Sequence, residues 1–426
     1  MKNPVPLNLL PENASISDAG ELYLGGVSSL SLAQEFGTPL FVYDEEHLRR
    51  RCREVVAGFG GGAVYATKAF LCTAMARLAH EEGMRLDVAT GGEYHVARAA
   101  GVPAADLVFH GNNKSLRELR IALADRVGQL VVDSFDEMDR MEELVSEGHE
   151  PPEALLRITP GVEAHTHEFV RTGQDDSKFG FTVSSGMAEE AVQRARSSGA
   201  MRLKGVHAHI GSQVFRADSF GAAVDVIAGF ANGGGFEEIS LGGGLGVAYV
   251  EGEEAPTIAE WVEVVRESVE RNGFDGKVSV EPGRAITASA AVTLYAAGTI
   301  KHLPGIRTYV AVDGGMSDNP RPVLYGSGYE TFLARDVAAP RDMPVRLVGK
   351  HCETGDVLVS DGWLPEGLEV DDIVVTPVTG AYGHSMGSNY NKVLRPAVVF
   401  VRDGEARQVV RRETYDDLLL TDVGPE

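Results

Sequence analysis

The chain has 426 residues, too long for one typical domain and suited to two. Hydrophobic residues at 43% and charged residues at 24% are enough to bury a large core. The 62 Asp+Glu against 39 Lys+Arg give a formal charge of −23, which disfavours nucleic acid and anionic membrane as partners but leaves room for a local phosphate or carboxylate site.

Three widely spaced cysteines, Cys52, Cys72 and Cys352, suggest neither a disulfide framework nor a zinc site and point to a reducing compartment. The first residues, MKNPVPLNLLPENASISDAGEL, lack the apolar core of a signal peptide, and no apolar run approaches membrane-spanning length. A cytoplasmic location is expected.

From about residue 62 to 283, apolar segments alternate with amphipathic ones. In chain order the strand candidates are GAVYATK (62–68), RLDVAT (85–90), DLVFHG (106–111), QLVVDS (129–134), ALLRITP (154–160), GVHAHIG (205–211), EEISLGGG (237–244) and KVSVEPG (277–283). Ser134 and Glu137 have capping-box spacing ahead of a helix that stops at Gly148, and TIAEWVEVVRESVERNG is a second helix that stops at Gly273. Eight such alternations favour an α/β fold, a closed (β/α)8 TIM-type barrel, with a doubly wound open sheet as the alternative. The segment 161–204 is long for a connection and reads as an excursion before the sixth strand. After residue 284 the Val/Thr-rich segments AAVTLYAAGTI, RTYVAVDGG, MPVRLVGK, DIVVTPVTG and PAVVFVRDG predict a second, mostly β domain, which the N-terminal stretch, with its strand-like end, is expected to join. The expected domains are 46–284 for the barrel and 1–45 plus 285–426 for the β domain.

Unusual polar residues and glycines fall at the C-terminal ends of the barrel strands, the face on which catalytic groups collect. Lys68 ends YATKAF; alone it is a solvated strand end, and in company it is a Schiff-base lysine for a cofactor aldehyde. In HAHIGSQ, the alternation of His209 with His207 is read as leaving only one of them on a given strand face. His209 then lies against a planar ring while His207 points elsewhere, and Ser212 in the following loop can donate to a phosphate. Gly242, Gly243 and Gly244 end the seventh strand, where a turn without Cβ atoms can bring backbone N–H groups to a phosphate. In EPGR, Glu281 can favour a protonated pyridine nitrogen, and Arg284 offers a planar fork for a carboxylate or phosphate. Each element is weak alone, but together they describe a pyridoxal-phosphate site. No GxxxxGK[ST] loop, HExxH helix or paired-cysteine motif competes, and no metal is expected.

The β domain adds Arg321 and Tyr325 in DGGMSDNPRPVLYG, Cys352 and Glu353 in HCETGD, and Tyr382 in TGAYGHSMGSNYN. Cys352 sits among Glu, Thr, Gly and Asp, which suits an accessible thiol able to donate a proton better than a core position.

These stretches, with TGGE, HGNNK, HTHEFVRTG, DSKFGF, GAYG and SNYN, resemble the fold-type-III pyridoxal-phosphate decarboxylases, and within them the diaminopimelate decarboxylase family, over nearly the whole chain from FVYD (41–44) to YDDLL (415–419). The resemblance implies an alanine-racemase-like barrel plus a β domain, in a head-to-tail homodimer with shared active sites. It implies conversion of meso-2,6-diaminopimelate to L-lysine and CO2, the last step of lysine biosynthesis, with the substrate amine displacing Lys68 from the cofactor. By the same resemblance Lys68, His209, Ser212, Gly244, Glu281, Pro282, Gly283, Arg284 and Tyr382 hold pyridoxal 5'-phosphate. Arg284, Arg321, Tyr325, Glu353 and Tyr382 hold substrate, and Cys352 reaches the partner subunit's site as proton donor. TGGE and CETGD carry Thr where relatives often have Ser, without touching these residues. Alternatives are a related decarboxylase acting on ornithine, arginine, carboxynorspermidine or a modified diaminopimelate, a non-catalytic regulator, and a racemase; CETGD and the substrate cluster count against the last.

Overall fold

The computed structural model describes residues 2–161 and 176–424, so that the HTHEFVRTG stretch (165–173) lies outside the described residues. The chain divides into two units, one of residues 51–247 and 255–285, the other of residues 1–50, 248–254 and 286–426.

The first unit is a parallel barrel of eight strands: β1 (Val64–Ala66), β2 (Arg85–Val88), β3 (Leu107–Phe109), β4 (Gln129–Val132), β5 (Glu153–Thr159), β6 (Arg202–His207), β7 (Glu238–Ser240) and β8 (Lys277–Ser279). Each pairs in parallel with the next in chain order. The circle closes where Ala63 bridges Val280, with the Val64 N–H donating to the Val280 carbonyl and the Val280 N–H to that of Gly62, both at 2.9 Å. Closure excludes the open sheet. Val64, Val108, Val131 and Leu155, from four different strands, form one buried cluster, as expected for strands covered on both faces.

The helices follow their sequence signals. Thr257 and Glu260 exchange hydrogen bonds at the start of the helix Ile258–Arg271, and the fully buried Trp261 packs its ring 5.4 Å from both Phe59 and Phe220. The helix Phe135–Ser146 has Ser134 as its cap, but Glu137 does not complete the box. Its carboxylate turns inward, accepting from Lys114 Nζ at 2.7 Å and from the Asp133 N–H at 3.0 Å. The described part of segment 161–204 is not an excursion: it holds the short strand Phe181–Thr182, which pairs with β5, and the fifth barrel helix, Met187–Ser198.

A polar network sits at the strand starts. Glu238 accepts from Gln129 Nε2 at 3.0 Å and from Ser279 Oγ at 2.5 Å, and Lys277 Nζ lies 3.1 Å away. This face serves stability, leaving the opposite face for chemistry.

In the second unit the strand Leu40–Asp44 lies between Ala291–Leu303 (antiparallel) and Ala397–Arg402 (parallel), so the N-terminal stretch joins the β sheet. The sheet continues outward through Arg307–Val312, Met343–Val348 and Val357–Leu364 on one side and Glu405–Val410 on the other. Ile373–Pro377 pairs with Ala291–Leu303.

Lys114 is buried with all three ammonium donors used, on the carbonyls of Gly111 (2.9 Å) and Val131 (2.7 Å) and on Glu137. Lys114→Met strands the Glu137 carboxylate and should cost about 3–5 kcal/mol. Adding Glu137→Gln, which keeps an acceptor for Asp133 but no charge, should recover most of it. Denaturant midpoints of the two variants check both outcomes.

Candidate active site

The residues with unusual chemistry lie just past the strand ends. β1 stops at Ala66, so Lys68 stands exposed in the turn Thr67–Ala69, which Thr67 ties to β2 through a 2.7 Å bond from Oγ1 to the Asp87 carbonyl. The EPGR turn packs against that turn. The Ala66 N–H donates to the Pro282 carbonyl at 3.2 Å, and a Cβ on Gly283 would stand 2.8 Å from the Ala66 carbonyl oxygen.

Glu281, buried two positions past β8, is the centre of the arrangement. Its Oε2 is 3.0 Å from His207 Nε2, and its Oε1 accepts from Ser240 Oγ at 3.0 Å. His110 Nε2 stands 3.1 Å from Oε1 without the alignment of a hydrogen bond, and 3.9 Å from Asp87 Oδ1. Burial by itself would raise the Glu281 pKa; the two imidazoles outweigh it and hold the carboxyl well below the usual carboxylate range. Burial likewise pushes Asp87 up to about 6. For His110 burial disfavours the charged ring, but the carboxylates of Asp87 and Glu281 win and raise its pKa, whereas for His207 burial wins and lowers it. The ligand atoms of His110, His207 and Glu281 lie within 4.8 Å of one another, yet both carboxylate oxygens already accept N–H or O–H donors, the arrangement of a hydrogen-bonded acid.

His207 therefore does not point away from the site. Residues two apart on a strand return to the same face, and β6 ends at His207, so that His209 lies beyond it in the loop. His209 Nδ1 accepts from the Gly243 N–H at 3.2 Å, and its pKa is held well below the usual value by burial and by the positive charge of Lys68. Ser212 Oγ accepts from Arg284 Nη2 at 2.9 Å. The triple-glycine turn leaves no room for side chains: a Cβ on Gly243 would stand 2.2 Å from the Glu281 carbonyl oxygen, and one on Gly244, whose φ is +111°, 2.1 Å from that of Gly211.

An amine, an ionised acid, a half-buried neutral imidazole, a turn with its backbone bare and a guanidinium–hydroxyl pair are the donor set that a phosphorylated pyridine aldehyde requires. The residues fit pyridoxal phosphate. His110, His207, Ser240, Asp87 and Arg157 were not read from the sequence as site residues. Arg157 is buried on β5, 3.7 Å from Asp133 and over the Phe179 ring at 4.1 Å, and HGNNK was the one signal that could have marked His110.

In the β unit, Arg321 is buried in a box of tyrosines. Its Nε donates to the Tyr329 hydroxyl and its Nη2 to Ser327 Oγ, each at 3.0 Å, and its guanidinium carbon lies 5.1, 5.6 and 5.8 Å from the rings of Tyr249, Tyr325 and Tyr382. The structure thus brings Arg321, Tyr325 and Tyr382 together and adds Tyr249, Ser327 and Tyr329. Cys352 and Glu353 are exposed, on the loop after Met343–Val348, and take their contacts from Asn391 and Tyr390. Cys52 and Cys72 are buried.

Comparison with known proteins agrees with this chemistry. Residues 45–288 match the family of the pyridoxal-dependent decarboxylase, pyridoxal binding domain. The chain is 46% identical over 422 residues to the diaminopimelate decarboxylase of Bacillus subtilis, covering 95% of each chain, and 46% identical over 437 residues to that of Mycobacterium tuberculosis, covering 98% of each. A solved diaminopimelate decarboxylase from M. jannaschii in complex with L-lysine superposes with a TM-score of 0.90 at 30% identity, over 97% of this chain and 98% of that one. With its barrel, its buried acid and its full-length likeness to these enzymes, the chain belongs to the diaminopimelate decarboxylase family of pyridoxal-phosphate-dependent decarboxylases.

Proposed function

We propose that the chain removes one carboxyl group of meso-2,6-diaminopimelate to give L-lysine and CO2, closing lysine biosynthesis. The observation that carries this reading is the ionised Glu281, set beside the Lys68 turn in a chain alike over its full length to diaminopimelate decarboxylases. The M. jannaschii relative holds L-lysine, the product expected here.

Pyridoxal 5'-phosphate, when bound, supplies an electron sink for the pair left by the broken carbon–carbon bond. The residues do the rest. Lys68 would hold the cofactor aldehyde through its amine and release it to the substrate amine. Glu281 keeps a proton on the ring nitrogen, a role that needs its carboxylate charged, as the imidazoles keep it. His209 would hold one face of the ring. The N–H groups of the Gly242–Gly244 turn, with Ser212, the Pro282–Gly283 backbone, Arg284 and Tyr382, hold the phosphate end. Arg284, Arg321, Tyr325, Tyr382 and Glu353 grip the distal carboxylate and ammonium, orienting the bond to be broken. Ornithine and arginine lack the distal carboxylate and would leave the buried Arg321 guanidinium without its anion, which disfavours them. Cys352 then delivers a proton to the carbon that has lost CO2. Its exposure on a loop suits service in the partner's site of a head-to-tail homodimer.

No helix among the described residues is long and apolar enough to cross a membrane. The acidic surface and widely spaced thiols favour the cytoplasm.

Borohydride treatment of the cofactor-loaded protein should fix the cofactor on the peptide bearing Lys68, and Lys68→Ala should lose the adduct together with at least about 10³-fold in turnover. Mass spectrometry finding the adduct on another lysine overturns the role of Lys68. A panel of meso-diaminopimelate, ornithine, arginine and carboxynorspermidine, scored by CO2 release, decides the substrate. Gly244→Ala forces the turn away from the Gly211 carbonyl and should weaken cofactor retention about tenfold or more, read from cofactor absorbance after gel filtration.

A further inference from the structure

Cys352 and Glu353 pose a mechanical problem. Both sit exposed on the loop joining the strands Met343–Val348 and Val357–Leu364, where no surrounding core fixes a side chain. A proton donor displaced by 1 Å can lose roughly 10²-fold in rate. The base of the loop is well fixed. Asp356 accepts from the His351 N–H at 2.9 Å and from the Met316 N–H at 2.7 Å, and His351 Nε2 lies 2.8 Å from Ser317 Oγ. None of these bonds reaches the two functional residues themselves.

Apart from backbone bonds between Glu353 and its loop neighbours His351 and Asp356, the contacts that do come from the SNYN turn. The Cys352 N–H donates to Asn391 Oδ1 at 3.1 Å, and the Tyr390 hydroxyl donates to Glu353 Oε1. The turn is built to hold these side chains still. Asn391 has φ 51° and ψ 21°, the left-handed region that asparagine tolerates best after glycine. Asn389 Nδ2 ties the turn's base to the Val393 carbonyl (3.1 Å) and to Glu413 (2.6 Å), and the Ser388 N–H donates to the Ser317 carbonyl at 2.9 Å. Ser317 thus steadies both the turn and, through His351, the loop. The His351 ring also lies 5.5 Å from that of Tyr390, with its Nδ1 3.3 Å from Asn391 Oδ1. An asparagine serving only its own turn would bond its own backbone. Asn391 instead spends its acceptor on Cys352, and Tyr390 spends its hydroxyl on Glu353.

We propose that Tyr390 and Asn391 are positioning residues, with Asn391 setting the proton donor Cys352 and Tyr390 setting the substrate-binding carboxylate of Glu353. This rests on the roles given above to Cys352 and Glu353 and adds what determines where they stand. The two contacts fall on different groups, the Cys352 N–H and the Glu353 carboxylate, so their loss should register mainly in different steps, one in proton transfer and the other in substrate recognition.

The test uses cofactor-loaded enzyme. Asn391→Gly keeps the backbone conformation open and deletes the acceptor; it should lower kcat about tenfold with KM within about twofold. Because Cys52 and Cys72 are buried, iodoacetamide reads Cys352, and the same variant should alkylate at least about threefold faster as its loop loosens. Asn391→Asp retains an acceptor oxygen and should stay within about threefold of wild type in kcat. Tyr390→Phe keeps the ring and should raise KM about tenfold with kcat within about twofold. Wild-type kcat and alkylation in Asn391→Gly overturn the proposal, as does an Asp variant as poor as the Gly variant. Equal changes in kcat and KM for both Asn391→Gly and Tyr390→Phe, with lowered melting temperatures, overturn it too. If Cys352→Ala turns over like wild type, the proton-donor role fails by itself, and the alkylation rate of Asn391→Gly still tests the anchor.

Discussion

A charged carboxylate buried at the end of a barrel strand is the constraint on which the rest of the structure turns. Left alone, Glu281 would take up a proton rather than carry its charge away from water. It stays ionised because His207 and Ser240 bond to its two oxygens and His110 stands close by, so three further strand ends must converge on the eighth. That convergence exists only if the barrel closes. The fold is in this sense a device for surrounding one acid with donors, and the Lys68 turn is brought beside it by the same closure.

Much of this can be read in the sequence, and what cannot has identifiable causes. All eight barrel strands are legible because strands covered on both faces are rich in apolar residues, and the glycine turn and EPGR announce themselves by composition. Among the sheet strands that go unread, Val357–Leu364 mixes exposed and buried positions and Glu405–Val410 has no buried one, and among the described residues each pairs on one side only. His207 is misjudged because its direction depends on where β6 stops, a matter of hydrogen bonding rather than residue type. Glu137 has the spacing of a capping residue but is drawn inward by Lys114, and no local pattern encodes a partner from another βα unit. Tyr249 lies among barrel residues in the chain yet folds with the β unit, so its place over Arg321 is invisible to a linear reading.

The β unit handles charge differently. Arg321 is as buried as Glu281, but tyrosine faces and hydroxyls surround it rather than a carboxylate. An arginine satisfied in this way keeps its position without being neutralised, so its attraction for an anion is undiminished. Burial raises the cost of such a charge, while the phenolic oxygens of Tyr249, Tyr329 and Tyr382 favour it, and the balance leaves the guanidinium firmly protonated. A carboxylate would meet a cation already oriented and already stripped of much of its water.

The barrel's circle is thinnest between its first and last strands, each only three residues long. Besides the bridge at Ala63 and Val280, this seam rests on a few backbone hydrogen bonds, and Lys68 and Glu281 lie just beyond it on opposite sides. A ligand gripped by both side chains is therefore also a staple across the weakest joint of the wall. Its binding energy is added by mass action to the work of prising the cylinder apart. Losing the ligand would then do more than silence the chemistry: it would hand the wall back to that handful of backbone bonds.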